Sequence, residues 1–318
     1  MKVLFIDTVH SVLQDRLEQY NIECVDGTTL NFEELKAPLA SANGIVIRSR
    51  FRMDEKILSF APNLKFIARS GAGMENIDED YCQKRSIQLF NAPEGNRTAV
   101  GEHALAMILS LFNHLKKGDT EIRNGIWDRE GNRGIELTGK TVGIIGFGNN
   151  GQAFAKVLKG FDCTILAYDK YKKGFGNEYI KEVSLEELYQ HSEIISFHIP
   201  QNEETIFWGN SLFFSSVKNP FYLINLSRGK IIQTSSLIQA IESGKVKGTA
   251  LDVLEYESTS FENIFEENIP SELQYLISSE KVLLSPHVGG WTTESYFKLS
   301  DVLADKILLA IETGNLSK

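Results

Sequence analysis

Short runs rich in Val, Ile, Leu and Phe alternate with longer amphipathic stretches along the whole of this chain, and that alternation implies βαβ units and parallel sheets. Two series can be traced. The first predicts strands near Val3–Ile6, Ile22–Val25, Gly44–Ile47, Leu64–Ala68 and Ile87–Phe90, a set that suits a five-stranded flavodoxin-like sheet. The second predicts strands near Thr141–Ile145, Thr164–Tyr168, Ile194–His198, Tyr222–Leu226, Gly248–Leu251 and Val282–Leu284; six parallel strands fill a doubly wound sheet. Between the series, Ala104, Leu105, Ile108, Leu109, Leu111 and Phe112 fall at helical spacing, predicting a helix from about Thr98 to Leu115 that bridges two domains. A last helix, about Thr293 to Thr313, carries a stripe (Leu299, Val302, Leu303, Ile307, Ala310) that needs a core, and it is expected to return to the first domain. The fold class is therefore α/β with two doubly wound parallel-sheet domains, residues 1–99 with 290–318 forming one and residues 100–289 inserted as the other. A length of 318 residues agrees, because one core rarely covers so much chain.

The segment after the first strand of the second series is the most informative. Gly146, Gly148 and Gly151 form G-x-G-x-x-G directly after an apolar strand and before a helical stretch, Gln152–Lys159. The three glycines allow a tight turn, close approach of backbone to a pyrophosphate, and contact between helix and strand. The next strand ends in Asp169, 18 residues after Gly151, where a carboxylate can accept both ribose hydroxyls of an adenosine and repel a 2′-phosphate. NAD is thus favoured over NADP, and residues 100–289 read as a Rossmann NAD domain. The plain alternative for Asp169 is a solvated strand-end residue.

Charge narrows the partners. A formal net charge of −9 argues against general affinity for nucleic acid or anionic membrane, which are held by accumulated Lys and Arg. Cys24, Cys82 and Cys163 lie far apart without C-x-x-C spacing, so no zinc site or disulfide framework is indicated, and no metal is expected. The N-terminal apolar run is too short for a signal peptide, no stretch approaches the roughly 20 apolar residues of a membrane span, and cytoplasm is the expected location.

Three ionisable residues follow one another at the carboxyl ends of the last strands: Arg228, Glu257 and His287. Such ends line one crevice in an open parallel sheet. Together they suit hydride transfer to a keto acid: the arginine holds carboxylate and carbonyl oxygen, and the imidazolium gives the carbonyl its proton. Glu257 would bond the far ring nitrogen and stabilise the protonated ring. Singly, Arg228 reads as a turn residue, Glu257 as a solvated carboxylate beside Glu255, and His287 as a structural histidine.

The segments Asn91–Asn96, Val100–His103, Leu137–Gly146, Ser196–Pro200 with Thr205, Asn225–Gly229, Ala250–Glu257 and Ser285–Gly290 resemble the D-isomer-specific 2-hydroxyacid dehydrogenase family, most of all its phosphoglycerate dehydrogenase branch. That resemblance implies a flavodoxin-like substrate domain, an active site in the cleft between domains, and Arg228, Glu257 and His287 as the catalytic residues. It implies cofactor contacts at Gly146, Gly148, Asn149, Asn150, Gly151, Asp169, Leu226, Ser227, Gly289 and Gly290, with Asp252 near the nicotinamide carboxamide. His198, Ile199 and Pro200 would line the adenine side, with Thr205 nearby; for His198 a buried strand-end histidine bonded to backbone is the alternative. A homodimer through the bridging helix is also implied.

On the substrate side the resemblance points to Arg48 and Ser49 and to the loop Ser70, Gly71, Ala72 and Gly73, whose N–H groups can meet a carboxylate. An ordinary strand-to-helix turn is the alternative. Arg48, Arg50 and Arg52 gather positive charge that could recognise a phosphate, although a solvated run explains alternate arginines equally well. Ser258 stands where the family has Pro, Leu226 and Trp291 are bulkier than its usual residues, Asn149 and Asn150 replace an Arg and an aliphatic, and the segment Ser258–Glu280 is long and acidic. The expected activity is reversible oxidation of a small D-2-hydroxy acid, 3-phosphoglycerate first and glyoxylate or hydroxypyruvate reduction next, without a C-terminal regulatory domain. Rivals are formate oxidation, whose family members carry Gln in place of Glu257, and an NADH-sensing binding protein without turnover.

Overall fold

The computed structural model describes residues 1–257 and 269–316. They fall into two compact units, Met1–Asn96 with Trp291 onward, and Arg97–Glu257 with the described residues up to Gly290.

The first unit runs β1 (Lys2–Phe5), α1 (Val12–Gln19), β2 (Glu23–Asp26), α2 (Phe32–Ser41), β3 (Gly44–Ile47), α3 (Glu55–Leu58), β4 (Phe66–Arg69), α4 (Glu79–Lys84) and β5 (Gln88–Asn91). Its five strands are all parallel in the order β2-β1-β3-β4-β5, the flavodoxin-like order. β3 and β4 are buried at every residue, as strands covered on both faces must be.

Next come α5 (Pro93–Phe112), α6 (Leu115–Arg123), β6 (Thr141–Ile145), α7 (Asn149–Leu158), β7 (Thr164–Tyr168), β8 (Ile180–Glu182), α8 (Leu185–His191), β9 (Ile194–Phe197), α9 (Ser211–Ser216), β10 (Phe221–Asn225), α10 (Thr234–Glu242), β11 (Val246–Leu251), α11 (Ser271–Ser278) and β12 (Val282–Leu284). The sheet of the second unit has seven parallel strands, β12-β11-β10-β9-β6-β7-β8, one more than the six expected. The extra strand, β8, is a three-residue edge strand with a single apolar side chain, too short to show a pattern. Strand order reverses between β6 and β9, the switch point at which such sheets bind ligands.

α5 starts at Pro93, five residues before the predicted start. Pro suits the first helical position, and position 95 takes glycine within the helix because a Cβ there would lie 2.7 Å from the Leu299 backbone nitrogen. α6, which was not predicted, buries none of its residues. The last helix, α12 (Thr293–Glu312), opens with Thr292 and Ser295 bonded reciprocally. Its residues Leu299, Leu303, Ala304 and Ile307 share a core with Val3, Phe5, Leu13 and Phe66 of the first unit.

Candidate active site

At the switch point the glycine loop is shaped for a dinucleotide. Gly146 has φ +95°, and a Cβ on it would lie 2.5 Å from the His198 carbonyl oxygen. A Cβ on Gly151 would meet the Gly146 oxygen at 2.1 Å, whereas beside Gly148 there is open space within 4 Å. α7 begins at Asn149 with no side-chain cap from Gly148. The N–H groups of its first turn therefore lack intrahelical acceptors and can meet a pyrophosphate. The residues present fit the group.

Asp169 does more than end its strand. Its Oδ2 accepts the Phe147 N–H at 2.7 Å, and its Oδ1 accepts those of Tyr171 and Lys172, both at 2.9 Å. Desolvation is the largest influence on this carboxyl and pushes its pKa up, but the three N–H donors and the Lys172 charge outweigh it, so the net shift is downward. The carboxylate stays ionised and ties the glycine loop to the end of β7.

His198 sits half-buried with Nε2 2.9 Å from Ser196 Oγ and its ring tilted against Phe154 at 5.3 Å. Desolvation pushes its pKa down to about 3, so the ring is neutral. It is bonded to a side chain rather than to backbone. Thr205 Oγ1 donates to the Pro200 carbonyl at 2.6 Å and accepts from Asn202 N–H at 2.8 Å, closing the turn that carries Ile199 and Pro200.

The polar set follows β10, β11 and β12. His287 Nδ1 lies 2.6 Å from Glu257 Oε2, with side-chain exposures of 23% and 15%, so water screens the pair weakly. Glu257 Oε1 accepts the Leu254 N–H. Arg228 is joined to this segment through its neighbour: a Cβ on Gly229 would lie 1.8 Å from the Leu254 carbonyl oxygen. Arg228 Nη1 also donates to the Ser227 carbonyl at 2.7 Å, and Ser227 Oγ donates to the Phe197 carbonyl at 2.7 Å, linking the ends of β9 and β10. Glu255, beside the set, accepts the Thr234 N–H at 2.8 Å at the start of α10.

His287 has φ +55°, a conformation costing a non-glycine residue on the order of 1–3 kcal/mol. Asp252 compensates. Its carbonyl accepts the His287 N–H at 2.8 Å, while its carboxylate accepts the Val288 N–H at 2.9 Å and the Gly289 N–H at 2.7 Å. Bonds to a charged group contribute roughly 1.5–3 kcal/mol each, enough to hold the strained turn. Only 2% of Asp252 is exposed, so within its unit it is a buried anchor of the histidine loop. Gly289 is pressed between Asp252 and Leu226, where a Cβ would lie 2.8 Å and 3.0 Å from their atoms.

In the first unit, Asp7 Oδ2 accepts three successive N–H groups, those of Arg48, Ser49 and Arg50, at 2.9–3.0 Å. The Arg48 guanidinium lies over the Trp291 ring, 4.2 Å from its centroid, and Tyr296 meets that ring edge-on at 5.9 Å. Arg50 points elsewhere: its guanidinium donates to the carbonyls of Ile6, Gly27, Thr28 and Leu30. That set makes Arg50 a structural clamp, which argues against a phosphate-reading role. Ser70 and Gly71 commit their N–H groups to the Ile47 and Arg69 carbonyls. Ala72 and Gly73 are then the donors of that loop that have no protein acceptor among the described residues. Asp7 and the Trp291 stack were not foreseen as site features; the one sequence signal was the bulk of Trp291. The departure at Ser258 and the first part of the acidic segment lie outside the described residues.

Among the described residues no group of three His, Cys, Asp or Glu could hold a metal, and no helix is long and apolar enough to cross a membrane.

Comparison with known proteins gives a consistent picture. Residues 105–289 match the model of the D-isomer specific 2-hydroxyacid dehydrogenase NAD binding domain. The chain is 33% identical to D-3-phosphoglycerate dehydrogenase of Archaeoglobus fulgidus over 97% of its own length and 57% of that protein's. It is 32% identical to glyoxylate reductase of Pyrococcus furiosus, over 89% of its length and 83% of that protein's. D-lactate dehydrogenase of Aquifex aeolicus, solved with NAD and lactic acid, superposes with a TM-score of 0.82 at 27% identity, covering 99% of this chain and 96% of that one.

Proposed function

Because this chain belongs to the D-isomer specific 2-hydroxyacid dehydrogenase family, a family of NAD-dependent oxidoreductases, we propose that it interconverts a small D-2-hydroxy acid and its 2-keto acid. The observation that carries this reading is the His287 Nδ1 to Glu257 Oε2 contact of 2.6 Å, on the segment that Gly229 joins to Arg228. Bound NAD supplies the hydride acceptor, or the donor in its reduced form. With Nδ1 held by Glu257, proton exchange with the C2 oxygen falls to His287 Nε2. Arg228 offers its guanidinium to the substrate carboxylate, and the Glu257 charge stabilises the imidazolium formed when the hydroxyl gives up its proton.

Within that class 3-phosphoglycerate is the leading substrate. Arg48 supports it, because a guanidinium braced over an indole, 4.2 Å from the ring centroid, is preorganised to meet a second anionic group. Glyoxylate or hydroxypyruvate reduction is the second reading, favoured by the similarity to glyoxylate reductase. A homodimer is part of the proposal: Leu115, Ile122, Ile126 and Trp127, at and beyond the end of α5, are 59%, 54%, 51% and 79% exposed, a concentration of apolar surface that a second copy would cover.

A panel of 2-keto acids with NADH, read by loss of the reduced nicotinamide absorbance, tests the substrate. Strong preference for phosphohydroxypyruvate supports the first reading, preference for glyoxylate or hydroxypyruvate the second, and no turnover with any favours the sensing protein. His287→Ala should lower kcat by about 10²- to 10⁴-fold while NADH still binds; retained turnover would remove the acid–base role.

A further inference from the structure

A second histidine is tied into the turn that carries His287. His103, on α5, places Nε2 3.0 Å from Ser285 Oγ and 3.6 Å from Asp252 Oδ1. Ser285 Oγ in turn lies 2.6 Å from Asp252 Oδ1. These three side chains come from a helix and from the ends of two different strands.

The protons can be placed by counting. Asp252 has a lowered pKa: desolvation, the largest influence, raises it, but the bonds from His103, Ser285, Val288 and Gly289 outweigh it. It is therefore an ionised, acceptor-only group. The hydroxyl of Ser285 has one hydrogen, and the 2.6 Å contact with a carboxylate takes it. At 3.0 Å from the same oxygen, His103 Nε2 must then be the donor. His103 thus ends a relay of donors, Nε2–H to Ser285 Oγ–H to Asp252, whose last member holds the N–H groups of His287, Val288 and Gly289.

We infer that His103 is a positioning residue for the proposed proton transfer, acting through Ser285 and Asp252 on the backbone of His287. The inference rests on the reading of His287 as the acid–base group. Without the Nε2 donor, the lone pair of Ser285 Oγ that faces His103 goes unpaired and Asp252 loses its 3.6 Å contact with the ring, so the hydroxyl and the carboxylate it donates to are held by fewer groups. His287 would still be present and paired with Glu257, but its ring would be displaced from the reacting oxygen. The expected signature is a fall in kcat with little change in KM, since ground-state binding does not use the imidazole alignment.

Two variants test this. His103→Leu removes the donor at similar volume, and His103→Gln restores an N–H donor at nearly the same reach. His103→Leu should lower kcat by about 10- to 100-fold with KM for the keto acid and the Kd of NADH within about threefold, because small misplacements of a reacting group cost that much. His103→Gln should recover most of the loss. The inference is overturned if His103→Leu keeps wild-type kcat, if KM and kcat change together, or if Gln is as poor as Leu at an equal melting temperature. His287→Ala, measured alongside, separates the two readings: if it keeps turnover, the acid–base reading fails; if it alone is inactive, only the role of His103 fails.

Discussion

Two aspartates in this molecule do the same job in different surroundings. Asp7, after β1, gathers the N–H groups of Arg48, Ser49 and Arg50 on one oxygen; Asp252, after β11, gathers those of His287, Val288 and Gly289 on its carbonyl and both carboxylate oxygens. Each fixes a loop that carries one proposed substrate-directed cation. The surroundings differ: Asp252 is almost wholly buried and answered by Ser285 and His103, while Asp7 is half-exposed and has water as an alternative partner. The loop held from inside also carries a strained histidine, and the loop held from outside carries an arginine braced by Trp291. The proposed proton transfer, which depends on the position of a ring, is thus anchored where water cannot compete, and the proposed recognition of charge is anchored where it can.

The largest effect is expected at the buried anchor. Asp252→Asn turns one acceptor oxygen into an NH₂ that opposes either Gly289 N–H or the Ser285 and Val288 donors. A buried donor left unpaired costs about 1–3 kcal/mol. We expect kcat to fall by about 10²-fold or more, because the His287 turn relaxes. Asp7→Asn should do less, raising KM for a phosphorylated substrate by about tenfold with kcat nearly unchanged, since solvent can satisfy the released N–H groups. Steady-state kinetics on the two variants compares them directly. Equal losses in kcat would break the contrast.

Trp291→Ala sharpens the outer half. The indole braces the Arg48 guanidinium, and an exposed cation–π contact contributes about 0.5–1 kcal/mol. KM for a phosphorylated keto acid should rise about two- to fivefold, and KM for glyoxylate should not move. A rise for both would mean that Trp291 shapes the wall of the pocket instead of orienting a charge.

How much of this was legible beforehand follows from the range of each interaction. Strands such as Gly44–Ile47 and Thr141–Ile145 announce themselves because burial on both faces demands continuous apolar runs. β8 does not, because Ile180 is its single apolar residue, and the start of α5 was hidden because Pro93 and Gly95 read as a turn until Leu299 packs on the glycine. Arg228, Glu257 and His287 were found by their places after successive strands, and the structure brings Glu257 and His287 into contact. The partners that set their geometry are tertiary. Nothing in the sequence near Asp7 reveals that it will cap a loop 41 residues away, and His103 meets Ser285 across 182 residues.

The smallest expected effect concerns acid. Asp252 has a pKa lowered in the folded protein, because its hydrogen-bond donors overcome the cost of desolvation. In the unfolded chain its carboxyl titrates near the ordinary value of about 3.9. Below that value the unfolded state binds a proton that the native state still refuses, so the contribution of Asp252 to stability is fully present above about pH 4 and is lost as pH falls through the lowered native pKa. Melting temperatures followed from neutral pH into acid should therefore fall less steeply below about pH 4 in Asp252→Asn than in wild type, even though the variant starts lower. If the acid slope of Asp252→Asn matches that of wild type, the donors around the buried carboxylate do not hold it ionised, and the loss of kcat in that variant would have to come from the loop it anchors.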